Sequence, residues 1–275
     1  MIKENSSFFV CIDNEIKAYW FGFFCADGHL YKNGKQISIL LSSKDRNHLE
    51  KFANIFSSSL IDGKTCDFRT KKQYTNSRCV VYGKKICEDL KNKSLDNHKS
   101  KTLSSKVFDF IPKSLLHHFI RGYFDGDGCI SNNHKKEFIF NIAGTEKFLE
   151  KVKEIFIKEI KINQVKVLDC KSVYALSIGG NWQILKIKEW LYNKSTIFLE
   201  RKKAIFDKIN FGRLDKKSSY RGVGWDVRDK KWKARIFVKG KNYWLGTFNN
   251  EKQAAKAYDD GVVKFGLPLY KKNFS

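Results

Sequence analysis

The sequence predicts an α+β chain. A duplicated αββαββα core with pseudo-twofold symmetry is followed by a small three-stranded antiparallel sheet packed on one helix. Three observations carry this. The segment Trp20-Phe21-Gly22-Phe23-Phe24-Cys25-Ala26-Asp27-Gly28 recurs a hundred residues on as Ile120-Arg121-Gly122-Tyr123-Phe124-Asp125-Gly126-Asp127-Gly128. Each copy is followed by the same succession of strand-like and helix-like stretches. Around Asn210 to Ser219 the pattern lapses into Gly, Lys, Asp and Ser, and a new composition begins.

In the first copy an apolar helix precedes Asp27. A strand over Gln36 to Leu41, a charged helix from Lys44, a strand near Cys79 to Tyr82 and a helix near Lys85 to Lys91 follow. In the second copy the matching pieces are Phe138 to Ile142, Thr145 to Leu149, Tyr174 to Ile178 and Trp182 to Tyr192. Repeat 1 is placed at 1–110, repeat 2 at 111–210, a linker at 211–218 and a second domain at 219–275. In that last segment strands Trp232 to Val238 and Asn242 to Phe248 flank a Lys239-Gly240-Lys241 turn. Asn249-Asn250-Glu251 then opens a helix with the apolar stripe Ala254, Ala255, Tyr258, Val262 and Phe265, and Gly266 ends it.

The chain has 275 residues, 42% of them hydrophobic and 15% aromatic, enough for a sizeable core. Its formal net charge of +24 implies a polyanionic partner, nucleic acid before an anionic membrane. No apolar run is long enough to span a bilayer, so no membrane is expected. Seven scattered cysteines without a CxxC pair argue against a zinc site and for a reducing compartment. Small residues four apart, Gly22 with Ala26 and Gly122 with Gly126, let two helix backbones approach closely. Gly28 and Gly128 are expected to end those helices in left-handed caps. Asp27 and Asp127 then meet at two helix C-termini, where the macrodipole and mutual repulsion both oppose them. Divalent metal bridged by the pair offsets that cost. The alternative of a calcium loop lacks its third acid and distal Glu.

These paired segments resemble the motifs of single-chain LAGLIDADG homing endonucleases over roughly residues 10–208. His118 to Gly128, Lys99-Ser100-Lys101-Thr102, Pro112 and Leu199-Glu200-Arg201-Lys202 also carry the resemblance. Cys25 departs from it, standing where the family often has Asp. The resemblance implies magnesium at Asp27 and Asp127, with the carbonyls of Ala26 and Gly126 as further ligands. It implies a basic residue near the scissile phosphate, for which Lys84 or Lys85 stands in the first repeat and none in the second. It also implies curved sheets on DNA. Strand alternation buries Ile37, Ile39 and Leu41 and turns Gln36, Ser38 and Ser42 outward; in the second repeat Asn141 lies opposite Phe138, Phe140 and Ile142.

The segment from Tyr220-Arg221-Gly222-Val223 through Trp232, Trp244-Leu245-Gly246-Thr247-Phe248 and Ala254 to Asp259, ending at Asn273-Phe274, resembles the APETALA2-type (ethylene-response-factor) DNA-binding domain. The resemblance implies a sheet laid in the major groove. Arg221, Trp225, Lys233, Arg235, Phe237 and Trp244 are the expected DNA contacts. Phe237 and Asn242 stand where the plant domains tend to carry arginine.

Together these point to a metal-dependent, site-specific endonuclease on double-stranded DNA, anchored by an added domain and acting as a monomer. An intron maturase or a transcription regulator with an inert nuclease fold are the alternatives. The expected setting is intracellular, in phage- or virus-infected cytoplasm or an organelle, as the product of an intron or another mobile genetic element.

Overall fold

The computed structural model describes residues 7–66, 68, 70–132, 138–163, 165–209, 218, 220–226 and 229–274. Of the expected linker, all but Ser218 lies outside the described residues. The chain divides into two compact units, Met1–Ile209 and Asn210–Ser275. No helix among the described residues is long and apolar enough to cross a membrane.

The first unit opens with α1 (Glu15–Asp27), capped by the Asn14 side chain, which accepts from Lys17 N. Residues Ala18 to Ala26 are all buried, as expected of a helix apolar on every side. Strands β1 (Gly28–Leu30) and β2 (Gln36–Ser42), helix α2 (Arg46–Ile55), strands β3 (Leu60–Cys66) and β4 (Gln73–Tyr82) and helix α3 (Lys84–Asn92) complete the repeat. A single turn, α4 (Lys99–Thr102), leads towards the second copy. There α5 (Leu116–Asp127), β5 (Gly128–Asn132), β6 (Phe138–Gly144), α6 (Glu146–Ile160), β7 (Val167–Asp169), β8 (Tyr174–Gly179) and α7 (Asn181–Tyr192) repeat the order, and α8 (Glu200–Lys208) closes the unit. The two sheets have matching antiparallel orders, β1-β2-β4-β3 and β5-β6-β8-β7.

Helices α1 and α5 pack backbone to backbone. A Cβ on Gly22 would stand 1.9 Å from Phe119 O, and one on Gly122 would stand 1.9 Å from Tyr19 O. Those two pairs exchange places under a twofold operation. Fully buried aromatics, including Trp20, Phe23, Phe119 and Phe124, fill the surroundings.

The glycines that follow the motif acids differ from expectation. Gly28 (φ −69°) and Gly128 (φ −98°) are extended, not left-handed, because the chain passes straight from each helix into a strand. Glycine is required there by proximity. A Cβ would lie 2.3 Å from the Phe24 ring at Gly28 and 2.2 Å from the Phe124 ring at Gly128.

The second unit holds β9 (Val223–Asp226), β10 (Lys231–Val238), β11 (Lys241–Phe248) and α9 (Glu251–Lys264), with sheet order β11-β10-β9. Asn250 caps α9 by accepting from Lys252 N at 2.8 Å. Gly266 follows the helix at φ +61°, a left-handed conformation that suits glycine. Ile236, Tyr258 and Val262 form the core between sheet and helix.

Candidate functional site

Because α1 and α5 cross so closely, their last residues, Asp27 and Asp127, come together. A Cβ on Gly126 would lie 2.3 Å from Ala26 Cβ and 3.3 Å from Asp27 Oδ2. Burial and then the Asp127 carboxylate push the Asp27 carboxyl up to about 6, and burial also raises Asp127. Two carboxylates at helix C-termini are thus held against their electrostatic preference.

A buried lysine, Lys202, and a half-buried one, Lys99, face them. Lys202 Nζ donates to the carbonyls of Phe124 (2.8 Å), Gly126 (2.9 Å) and Gly128 (2.6 Å). Lys99 Nζ donates to the carbonyls of Cys25 (3.0 Å) and Ala26. An ammonium on the carbonyls at a helix end is favourable twice over, by hydrogen bonding and by the macrodipole. Burial draws Lys202 down to about 8 and also lowers Lys99, while both acids act in the opposite direction. The sequence reading did not assign these lysines a role, although Lys99 and Lys202 each stand late in their repeats.

Lys84 and Lys85 are placed elsewhere. They lie on the first turn of α3 and pair along their own helix, Lys84 with Glu88 at 3.6 Å and Lys85 with Asp89 at 2.8 Å. Neither is among the charges acting on Asp27 or Asp127. The basic side chains that lie against the ends of the motif helices are Lys99 in the first repeat and Lys202 in the second.

The departure at Cys25 makes the halves unequal. Asp125, its counterpart, is buried and accepts from Tyr19 Oη (2.8 Å), Tyr192 Oη (3.1 Å) and Leu199 N (2.7 Å). Leu199 immediately precedes α8, so this carboxylate pins the helix that carries Lys202. The buried Cys25 thiol offers no such anchor, and burial holds it in the neutral form.

The outer sheet faces also differ. In the first sheet Gln36 pairs with Tyr82, Leu40 with Arg78 and Ser42 with Asn76, on the face opposite Ile37, Ile39 and Leu41. Tyr82, Arg78 and Leu40 are exposed there, and sequence reading missed all three. Ser38, expected among the DNA contacts, lies on this face but is only 4% exposed. In the second sheet Asn141 is engaged on both sides, donating to Ser131 Oγ (3.4 Å) and accepting from Ser177 Oγ (2.5 Å).

In the second unit Arg235 pairs with Trp244 and Phe237 with Asn242 on the face away from α9. Lys233 shares that face but is tied to Asp226 and Asp229 and lies over the Trp244 ring at 5.3 Å. Trp225 is on the other face, paired with Trp232 at a ring separation of 5.1 Å. Trp225, expected among the DNA contacts, thus lies on the face opposite Arg235 and Phe237. The exposed Arg221 is held by its backbone, which exchanges hydrogen bonds with Asn273.

Residues 114–168 match the family model of the LAGLIDADG-like domain. The homing endonuclease I-WcaI bound to its DNA recognition sequence superposes with a TM-score of 0.52 at 14% identity, over 70% of this chain and 87% of that one. The first unit has a LAGLIDADG fold. Among curated proteins, APETALA2-like protein 2 of Oryza sativa subsp. indica is 34% identical over 67 residues, 24% of this chain and 15% of that protein. The transcription factor RAV1 of Arabidopsis thaliana, which contains AP2/ERF and B3 domains, is 46% identical over 48 residues, 18% of this chain and 14% of that protein. The chain thus spans only about a seventh of the length of these curated relatives. Within the LAGLIDADG fold, Asp27 and Asp127 end the two motif helices, and Lys99 and Lys202 close over them.

Proposed function

We propose that the chain is a site-specific endonuclease that hydrolyses phosphodiester bonds of double-stranded DNA with a divalent metal. The observation that carries this is the facing pair Asp27 and Asp127, forced together at two helix ends and kept there at an electrostatic cost. Among the described residues no three His, Cys, Asp or Glu side chains cluster as a metal site. The donors would instead be the two carboxylates, hard oxygens that suit magnesium, joined by whatever lone pairs the Ala26 and Gly126 carbonyls keep beside Lys99 and Lys202. The residues fit the metal: both acids are raised by burial, and for Asp27 also by the other acid, and a divalent cation relieves both strains. Bound there, it would supply the charge that polarises a phosphate and lowers the pKa of an attacking water. Lys99 and Lys202 add fixed positive charge where the phosphate's charge develops. The exposed sheet face with Arg78, Tyr82 and Gln36 suits a DNA groove, and the net charge of +24 suits its backbone. We assign the APETALA2-like similarity to the second unit, as an added DNA anchor. Both acids come from one chain, so the active species is a monomer, which sedimentation tests. The test of function is incubation with magnesium and a library of random duplexes. Double-strand breaks at one recurrent sequence are expected. Tight binding without breaks would instead make the chain a regulator on a nuclease fold.

A further inference from the structure

We propose that the cross-strand pair Phe237 and Asn242 reads a single A·T base pair, with Phe237 against the thymine methyl and Asn242 against the adenine edge. The inference rests on the reading of the second unit as a DNA anchor.

Three observations carry it. First, Phe237 is 65% exposed and Trp244 54% exposed, although the same sheet buries Ile236 and Ala234 on its other face. A unit this small gains nothing in stability from two large apolar side chains in water. Second, these side chains are arrayed. Phe237 is directly opposite Asn242, and Arg235 is directly opposite Trp244. Partners across an antiparallel pair have Cβ atoms about 5 Å apart, and successive rungs on one face are about 6.8 Å apart. A two-stranded ribbon fits a major groove about 12 Å wide, and 6.8 Å is about two base steps along it. Third, the polar members are free. Asn242 and Arg235 are exposed, and neither side chain makes a hydrogen bond or ion pair among the described residues. Lys233 on the same face is by contrast already neutralised by Asp226 and Asp229.

The chemistry of the rung then selects its base pair. An apolar side chain in the major groove finds one apolar partner, the C5-methyl of thymine. A free carboxamide finds the acceptor and donor of adenine, N7 and N6. Both belong to the same pair, and the two side chains sit side by side. A guanine at that position would offer acceptors only and leave the Phe237 ring without a partner.

The test uses the full chain in EDTA, so that binding is separated from any cleavage. Preferred duplexes are first selected from a random library. Each thymine is then replaced by uracil, which removes only the methyl, and each adenine by 7-deazaadenine, which removes only N7. One uracil position is expected to weaken binding about fourfold, the worth of one buried methyl group. Its paired adenine is expected to weaken binding about tenfold on losing N7. Phe237→Ala abolishes the uracil effect and keeps the deazaadenine effect; Asn242→Ala does the reverse. Both side chains are exposed, so neither variant threatens folding. Sequence-specific binding in which no A·T pair shows this reciprocal pattern overturns the inference and leaves the anchor reading intact. Absence of sequence-specific binding by the wild-type chain overturns both.

Discussion

Gly22 faces the carbonyl oxygen of Phe119 so closely that an added Cβ would stand 1.9 Å from it. That oxygen belongs to a helix backbone and cannot swing away. Gly22→Ala should therefore force α1 and α5 apart, at a cost of about 3 kcal/mol or more. Gly179→Ala, where a Cβ meets nothing within 4 Å, should change stability by less than about 0.5 kcal/mol. Urea denaturation of the two variants checks the contrast.

Asp27→Asn and Asp127→Asn should each abolish double-strand cleavage while leaving DNA affinity within about threefold, since neither residue lies on a sheet face. Gel assays of cleavage and binding on one substrate measure both. Full cleavage by either variant would sink the metal assignment.

Asp27, together with the buried Asp125, gives a pH signature without metal. Asp27 and Asp125 both have folded-state values raised to about 6. The native state therefore holds extra protons between the ordinary carboxylate range and about 6, and stability falls as pH rises through that window. Asp27→Asn removes its part of the loss. It should raise stability at pH 8 by about 1–3 kcal/mol and change little at pH 4, where Asp27 is already neutral. Thermal melts in EDTA at the two pH values decide this.

Lys202→Met should lower cleavage about 10²-fold or more, as loss of a fixed charge at the reacting phosphate does. Lys84→Ala and Lys85→Ala should leave the rate within about twofold, because those side chains answer only to Glu88 and Asp89. Single-turnover kinetics on all three separates the structural assignment from the one the sequence suggested.

Ending the chain at Lys216 should leave the cut phosphates unchanged but weaken binding by roughly 10²–10⁴, the gain from a second tethered module. The salt dependence should become shallower by about 0.9 per lost phosphate contact. Equal cleavage by short and full chains at every salt concentration would show that the second unit is no anchor.

Much of this was legible in one sequence because the signals are local. The repeat of Trp20 to Gly28 in Ile120 to Gly128, the Asn250 cap and the stop at Gly266 are all written within a few residues. What escaped depends on contacts far along the chain. Lys99 and Lys202 bind backbone carbonyls, which leave no side-chain pattern to read. Whether Gly28 is needed for its φ or for the ring of Phe24 is a question of approach, which spacing does not encode. Trp225 belongs to its face only through the register with Trp232, and Ser38 is covered by neighbours that alternation cannot foresee.

The buried Arg121 joins Glu15 (2.6 Å) to the carbonyls of Leu191 (2.6 Å) and Ile197 (2.9 Å). Glu15 in turn accepts from Thr196 N at 2.8 Å. Helix α1 is thus fastened by the last part of the same unit. At about 5–20 residues per second, the hundred residues from Gly22 to Gly122 leave the glycine groove of α1 uncovered for roughly five to twenty seconds. Codon choice between the two repeats sets the length of that wait. Slowing translation there should reduce the soluble yield of a chain whose finished stability is unchanged.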